Sequence, residues 1–467
     1  MRKVVKFGGL LLGGAVLVAA VGGGAFAMLK LHFNPSPPAA DYPKPANLLE
    51  AQRQDLDYFA KLQALDHAFS PAARAEATRR ITAMEAAPAP LSPQAFLVQL
   101  MQISALADNG HTHVRLLGPE RVPNLVPVRV TRFAEGFYVM RAKSPYSDML
   151  GGRVESIDGM PFKEIVKRLD ALRGGLPTFR RDSGPLFIMV QDILYGSGIS
   201  KEPMRANWTV RLPSGTLVTH SLDAYPMPAR GDEPEYGYRW MSPEPEKSMG
   251  AGWVSYAPAA VALPKSRQNP GRVFEDVAIP GSCGRYVRLQ DIDDTDGQEI
   301  APFLKQTEAD FNAHRPCAVI VDLRGNGGGN YTKAWHFAHA LPGLTGHVYI
   351  LTDAGTFSAA ITTAAFLKET GGDKVTILGE PIGDRLAFYA EGNEGCLPNS
   401  KICDTYETGK HVYNGPCTDW NECFWVNWLY PVRVKSLAPD ELIPSLFADW
   451  NAGHDIAYER AVALIGK

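Results

Sequence analysis

The spacing of apolar residues changes along the chain, and each spacing predicts a different kind of structure. Between residues 47 and 86 apolar side chains recur at helical intervals, as at Leu56, Phe59 and Leu62. This spacing predicts an amphipathic helical region. An Ala-Pro-Ala-Pro sequence interrupts the pattern, and the Ser-Pro pair at 92–93 predicts the start of a further helix.

A second spacing predicts a β-rich part between residues 122 and 225. Strand-like runs occupy residues 126–130, 137–140, 153–157, 208–212 and 217–222. Asp158-Gly159 is a tight-turn signal, and a helical stretch follows at 162–172. These features predict a small β-rich unit.

A third pattern, strands alternating with helices, begins near Gly284. Residues 285–289 and 318–321 are apolar strand-like runs, and residues 300–312 between them have helical spacing. This alternation predicts an α/β core with a largely parallel sheet. Residues 229–280, rich in Pro, Glu, Gly and Ser, predict an irregular excursion before the core.

The N-terminus carries a targeting pattern. Arg2, Lys3 and Lys6 precede an uncharged run at 7–29 that contains an Ala-Phe-Ala sequence ending at Ala27. This predicts a signal peptide, cleaved after Ala27, or an N-terminal membrane anchor, because the run is also long enough to span a bilayer. In both cases the rest of the chain is exported, and a Pro-rich linker follows at 30–46.

Composition and cysteine use agree with export. The formal charge of −3 gives no reason to expect nucleic-acid binding. Four of the six cysteines fall within a short loop-rich stretch, so Cys396, Cys403, Cys417 and Cys423 are disulfide candidates, with connectivity left open. A zinc site that also recruits His411 is disfavoured because no Cys-x-x-Cys pair is present. Cys317 is expected to be a small core residue.

The candidate chemistry lies in residues 318–369. The first apolar run ends in Asp322-Leu-Arg324 and a glycine cluster, and a second run at 348–351 leads to Ser358. A hydroxyl between a strand and a helix is where an α/β enzyme places a nucleophile, and a glycine loop can offer N–H groups to an oxyanion. The simpler alternative is that Ser358 only caps the following helix. The loop matches neither a dinucleotide fingerprint nor a P-loop.

Four motifs together resemble a known family. They are Gly-His-Thr at 110–112, Asp-Leu-Arg-x-Asn-Gly-Gly-Gly-Asn at 322–330, Thr-x-Ser-Ala-Ala at 356–360 and Gly-Glu-Pro at 379–381. They resemble the C-terminal-processing (tail-specific) serine peptidases, and within them the tricorn-like branch that uses Ser and His. The resemblance extends to a closing segment at 453–455. It implies a crotonase-like catalytic core, and the β-rich part resembles the PDZ-like module of many relatives.

The general base is the main departure from the common branch of this family. That branch uses a lysine shortly after Gly-Glu-Pro, but Arg385 stands there, and arginine does not deprotonate in proteins. The resemblance to the tricorn-like branch instead implies His111 as the base, with Gly110 replacing a serine. His113 is a secondary candidate because it lies on the same face of an extended segment.

The remaining site residues follow from the same reading. Backbone N–H groups of Gly327, Gly328 and Ala359 would form the oxyanion hole. Glu391 is the first choice for a third, acidic residue, and Asp384 is the second. Asp322 and Arg324 are expected to hold the glycine loop rather than to react. No metal or organic cofactor is required.

These observations predict an α/β protein with a helical N-terminal part. The predicted regions are 1–29 (signal peptide or anchor), 30–46 (linker), 47–118 (helical part), 119–228 (PDZ-like module), 229–280 (excursion) and 281–467 (crotonase-like catalytic domain). The predicted function is an exported, periplasmic or extracellular serine endopeptidase that acts on extended peptides or unfolded protein tails. The alternative is a non-catalytic protein that binds apolar ligands or peptides. Membrane association is expected only through an uncleaved N-terminal segment, and the oligomeric state stays open.

Overall fold

A computed structural model describes residues 28–116, 121–227, 252–257, 263–269, 271–295 and 297–466. After a helical turn at 28–33 and an irregular stretch at 35–45, three helices follow: α1 (Leu48–Leu65), α2 (Pro71–Glu85) and α3 (Pro93–Ser104). The side chains of Asn47, Ser70 and Ser92 cap their N-termini. The predicted helical region and its break are therefore confirmed. Most of the predicted signal or anchor run lies outside the described residues.

The middle of the chain forms an antiparallel sheet in the order β2-β3-β4-β6-β7, with β5 and β9 at its margins. Its strands are β2 (Val128–Phe133), β3 (Gly136–Lys143), β4 (Arg153–Ile157), β5 (Met160–Pro161), β6 (Arg205–Arg211), β7 (Leu217–Asp223) and β9 (Trp253–Ser255). Two further strands, β1 (Asn124–Leu125) and β8 (Tyr225–Pro226), pair with each other in a separate antiparallel sheet. Asp158 and Gly159 have positive φ in the turn between β4 and β5, as predicted. Three helices accompany the sheet: α4 (Phe162–Asp170), α5 (Pro177–Ile188) and α6 (Gln191–Gly196). The sequence did not predict the last two. That this part is PDZ-like stays a prediction.

The C-terminal part is built on a six-stranded sheet in the order β10-β11-β12-β13-β14-β17. Its strands are β10 (Phe274–Ala278), β11 (Arg285–Leu289), β12 (Ala318–Asp322), β13 (His347–Thr352), β14 (Val375–Gly379) and β17 (Glu441–Leu442). All are parallel except β10. The helices are α7 (Ile300–His314), α8 (Trp335–Leu344), α9 (Ala359–Gly371), α10 (Val426–Leu429), α11 (Phe447–Asn451) and α12 (Ile456–Ile465). The predicted α/β class with N-terminal helices is confirmed.

The register of the parallel strands aligns their carboxyl ends. Asp322 at the end of β12 pairs with Leu351, and Thr352 at the end of β13 pairs with Gly379 at the end of β14. Apolar side chains cover both faces of this sheet, as expected for parallel strands. The loops that follow β12, β13 and β14 therefore start from one edge, where α/β proteins build their sites.

A long hairpin was not predicted. β15 (Ala387–Cys396) and β16 (Cys403–Val412) pair antiparallel over ten residues each. Glu391, expected in a loop, lies in β15 with φ of 62°, between the paired residues Ala390 and Gly392. The register does not shift across Glu391, so its positive φ alone distinguishes it from the regular strand.

Three disulfides join the six cysteines: Cys283–Cys317, Cys396–Cys403 and Cys417–Cys423. The prediction that Cys317 is a free core residue was wrong, because the turn before β11 brings Cys283 beside it. The four candidate cysteines are all paired, so they cannot serve as zinc ligands. Three disulfides suggest an exported protein. Among the described residues, no helix has the length and apolar character needed to cross a membrane.

Candidate active site

Ser358 lies in the turn between β13 and α9 in a backbone conformation that side chains rarely adopt. Its φ is 52° and its ψ is −124°. The residue occupies the N-cap position of α9, yet its side chain accepts no capping hydrogen bond. The capping interpretation therefore does not account for this serine. Non-glycine residues in such conformations are strained and concentrate at functional sites, as the nucleophile of a strand-turn-helix motif does.

The turn before Ser358 is fixed to the glycine loop by buried side chains. Asp353 accepts hydrogen bonds from the N–H groups of Gly325 and Gly355, at 2.9 and 3.0 Å. The Thr356 hydroxyl donates to the carbonyl of Leu323 at 2.9 Å. These bonds join the loops after β12 and β13 into one unit, so the position of Ser358 is set by the edge of the sheet.

Asn326 connects the two loops directly, a role that the sequence alone did not indicate. Its fully buried side chain donates to the carbonyl of Leu289 and accepts from the N–H of Gly328, at 2.8 and 2.9 Å. Its carbonyl accepts from the N–H of Phe357, the residue before Ser358. Asn326 therefore sets the distance between the glycine loop and the serine.

The predicted oxyanion donors differ in whether their N–H groups already have a hydrogen-bond partner. The N–H of Gly328 is already bound to Asn326. Gly328 instead lets the glycine loop lie close to Ser358, because at its φ of 120° an added Cβ would lie 2.6 Å from the Cβ of Ser358. Ala359 is at the first turn of α9, where N–H groups have no partner within the helix, and Gly327 is exposed in open space. The N–H groups of Gly327 and Ala359 are thus the better candidates.

Asp322 and Arg324 hold the glycine loop, as expected. Arg324 makes two hydrogen bonds to Asp322 at 2.6 and 2.9 Å and two to Asp455 at 2.7 and 3.1 Å. Against the effect of burial, the contacts with Arg324 lower the pKa of Asp455 to about 2. The closing segment therefore anchors the site from behind.

His111 lies in a column of aromatic rings next to the serine turn. Its ring centroid is 4.4 Å from that of Phe357 and 5.3 Å from that of Phe388. Both ring nitrogens are buried and have no hydrogen-bond partner among the described residues. Burial, together with nearby His411 and Arg173, lowers the pKa of His111 to about 3. The imidazole is therefore neutral at physiological pH.

Gly110 explains why the serine of the tricorn-like branch is absent. A Cβ at this position would lie 2.7 Å from the ring of Phe357. The ring of Phe357 thus occupies the space that a side chain would need. It also stacks on Phe179 of α5 at 4.4 Å.

Side chains from distant segments hold the backbone on both sides of His111. Arg385 binds the carboxylate of Asp108 at 2.7 Å and its carbonyl at 2.9 Å. The buried Arg173 donates to the carbonyl of Gly110 at 2.9 Å, and Thr112 donates to Asp66 at 2.7 Å. Arg385, which stands in place of the family lysine, therefore has a positioning contact in this chain.

Glu391 does not contact His111. Its carboxylate lies 3.4 Å from Nε2 of the buried His411, on the other side of Phe388. Nδ1 of His411 lies 3.2 Å from both the Tyr413 hydroxyl and the Asn427 amide. From the sequence, His411 was considered only as a zinc ligand. The long-range pairing of β15 with β16 brings His411 near the site, and no local sequence signal indicates this position.

The two secondary candidates, His113 and Asp384, have contacts that indicate a structural role. Nδ1 of His113 lies 2.6 Å from the carbonyl of His111, and burial lowers its pKa well below the ordinary value. Asp384 is buried beside the N–H groups of Arg385 and Gly110, and burial raises its pKa to about 6. Neither residue contacts the serine turn in the described structure, so both are more readily explained as supports of the histidine segment.

A cavity of about 350 Å³ lies between β2, α5 and the carboxyl edge of the parallel sheet. Its lining carries Arg132, Asp182, Asp353 and Glu380, and Arg132 binds Glu380 at 2.8 Å. Ser358 does not line it. Apolar side chains, including Leu186, Ile443 and Trp450, share the lining with these charged groups, so the cavity has the mixed character of a ligand pocket.

Comparison with solved structures identifies the fold. Neither a protein-family model nor a curated protein sequence matches the chain. The structure of mature CPAF complexed with lactacystin is similar at a TM-score of 0.57 and 11% identity, covering 90% of this chain and 98% of that chain. Mature CPAF alone is similar at a TM-score of 0.56 and 13% identity, covering 89% and 96%. The photosystem II D1 C-terminal processing protease matches only at a TM-score of 0.35 and 13% identity, covering 87% and 98%, and supports no argument.

The chain therefore has the fold of CPAF over nearly its whole described length. At this level of identity the likeness concerns the fold, and the chemistry must be argued from the site.

Proposed function

We propose that the chain is an exported serine peptidase that hydrolyses peptide bonds in extended peptides or unfolded protein tails. The observation that carries this proposal is the strained, uncapped Ser358 beside two N–H groups suited to an oxyanion. The likeness to CPAF, itself a serine protease, supports it. A serine kept in an unfavourable conformation without a capping bond needs an explanation, and a nucleophilic role supplies one.

The proposed reaction follows from these positions. The Ser358 hydroxyl attacks the scissile carbonyl carbon while His111 takes its proton. The N–H groups of Gly327 and Ala359 stabilise the oxyanion, where one such donor is typically worth about 3–4 kcal/mol. His111 then gives this proton to the leaving amine as the C–N bond breaks, which leaves an acyl ester on Ser358. Water attacks the ester carbonyl while His111 takes a proton from it, and His111 returns that proton to the Ser358 oxygen as the ester bond breaks and the acid product leaves.

His111 is proposed as the base because its ring nitrogens are free. Buried polar atoms without partners are rare, and a catalytic role is a recognised reason for them. Its lowered pKa keeps the imidazole neutral, and so able to take a proton, well below pH 6.5. Glu391 is a positioning residue in this scheme, because it reaches His111 only through His411 and Phe388.

One observation favours the alternative of a non-catalytic binding protein. In the described structure, His111 makes no hydrogen bond to Ser358. The cavity has both charged and apolar lining, so this alternative covers apolar ligands as well as peptides.

Hydrolysis of an unfolded protein tests the proposal. Reduced, denatured substrate is incubated with wild type, with Ser358→Ala and with the control Ser436→Ala, and new termini are read by mass spectrometry. We expect cleavage by wild type and the control, and a rate lower by about 10⁴-fold or more in Ser358→Ala. Binding of the substrate without cleavage by folded wild type would establish the alternative.

A further inference from the structure

Exposed apolar side chains are concentrated where the described chain begins. Trp420 is 76% exposed and Trp428 is 45% exposed, with their ring centroids 4.9 Å apart. Leu429, beside Trp428, is 62% exposed. Paired tryptophans open to solvent are unusual, because large apolar surfaces are normally buried or used for binding.

The N-terminal helical turn lies next to this pair. Met28 and Leu31, three residues apart and so on one side of the turn, are 73% and 65% exposed. His32 contacts the carbonyl of Asn421 at 2.9 Å, which places the turn beside the loop of Trp420. We call Met28, Leu31, Trp420, Trp428 and Leu429 the tryptophan patch. It holds five of the twelve large apolar side chains exposed in the described part of the chain.

The support under the patch is stiff. The Cys417–Cys423 disulfide closes the loop that carries Trp420, and Phe424 packs on Phe33 with ring centroids 5.6 Å apart. Asn427, which precedes Trp428, accepts a hydrogen bond from Tyr331 at 2.8 Å. The tryptophans are therefore presented outward by a fixed surface.

The sequence preceding the patch indicates its partner. Residues 7–29 form an uncharged run behind three basic residues, the pattern of a segment that enters a bilayer. The carboxyl end of that run reaches the patch at Met28. Tryptophan is enriched at the membrane–water interface, where its ring is half in apolar and half in polar surroundings.

We propose that the tryptophan patch rests in the interfacial region of a lipid bilayer. The bilayer surface then covers the exposed rings and fixes the orientation of the protein at the membrane. This inference is independent of the proposed peptidase activity.

Quenching by brominated lipid tests the proposal. The full chain is reconstituted into phosphatidylcholine vesicles with or without bromine on the acyl chains near the headgroups, and tryptophan emission is compared. Wild type is expected to be quenched by the brominated lipid. The Trp420→Phe/Trp428→Phe variant should lose most of this quenching, whereas the control Trp253→Phe, outside the patch, should keep it.

Other outcomes would overturn the proposal. Equal quenching in wild type and the double variant would show that other tryptophans meet the lipid. Absence of quenching in wild type, with an assembly in sedimentation that the double variant dissolves, would show that the patch joins copies of the chain. Absence of both would leave the patch without contact to lipid, which also contradicts the proposal.

Discussion

The serine side and the histidine side of the site are built in different ways. The serine side comprises residues 322–330 and 353–358, loops that follow adjacent parallel strands and bind each other through Asp353, Thr356 and Asn326. The histidine side comprises residues 108–113, whose bonds go to segments far away in sequence, such as Arg173 and Arg385.

This difference indicates which side is easier to displace. Ser358 is fixed by short connections at one sheet edge, so its geometry should persist when distant parts change. His111 depends on the packing of the N-terminal helices, α5 and the β15–β16 hairpin at once. We therefore expect activity to be lost through the histidine side by changes that leave the serine side intact.

Breaking the serine side at Asn326 should lower both stability and activity. Asn326→Ala leaves the carbonyl of Leu289 and the N–H of Gly328 without partners, which should lower the free energy of unfolding by about 1–3 kcal/mol. Misplacement of the glycine loop by about 1 Å should also reduce kcat/KM by roughly 10²-fold. Urea unfolding and peptide hydrolysis measure the two effects. Asn330→Ala, in the exposed part of the same loop, is the matched control, and equal losses in both variants would contradict this role.

Removing one disulfide from each side should sharpen the comparison. Cys283–Cys317 precedes β11 and β12 and closes 34 residues; Cys396–Cys403 lies at the hairpin and closes 7. Chain-entropy arguments predict losses of about 4 and about 2 kcal/mol for the respective Cys→Ser pairs. The smaller stability loss should carry the larger loss of activity per kcal/mol. Of these two disulfides, Cys396–Cys403 is the one whose hairpin contacts the histidine segment, through Thr405 and the carbonyl of His111. Activity that simply follows stability in both variants would refute the distinction.

The pH dependence of stability should differ between the sides. Burial raises the pKa of Asp404 in β16 to about 8, while its carboxyl accepts from Gln63 and Ser104. A raised pKa in the folded state means that its stabilising contribution is complete below the unfolded value near 4 and is lost as pH rises through 8. The salt-bridged Asp455 behaves oppositely, since its contribution is lost only as pH falls through about 2.

The Asp404→Asn variant isolates the pH-dependent contribution of Asp404 to stability. The new asparagine amide stays neutral at every pH in this range. If the side-chain amide of Gln63 flips, its buried Oε1, which lacks a partner in the described structure, can accept a hydrogen bond from that asparagine amide. We expect the Tm of the variant relative to wild type to rise by about 2–4 °C between pH 5 and pH 9. A Tm difference that is constant over this range would show that Asp404 is not protonated in the folded state.

The sequence predicted the serine side well and the histidine side poorly. Ser358, the glycine loop and the strands before them are contiguous, so local patterns indicate them. Long-range contacts bring Arg173 and His411, the partner of Glu391, to the site. A single sequence has no local signal for such contacts. Glu391 was predicted as the third, acidic residue, but its carboxylate lies 3.4 Å from Nε2 of His411 rather than beside His111.

Labelling with a fluorophosphonate probe tests the central claim most directly, that Ser358 is a nucleophile activated by His111. The full chain is compared with Ser358→Ala, His111→Ala and His411→Ala, each checked for folding by circular dichroism. We predict that wild type and His411→Ala are labelled and that Ser358→Ala and His111→Ala are not. Labelling that survives in His111→Ala but disappears in His411→Ala would contradict the assignment of the base, and folded wild type that takes no label would contradict the nucleophile.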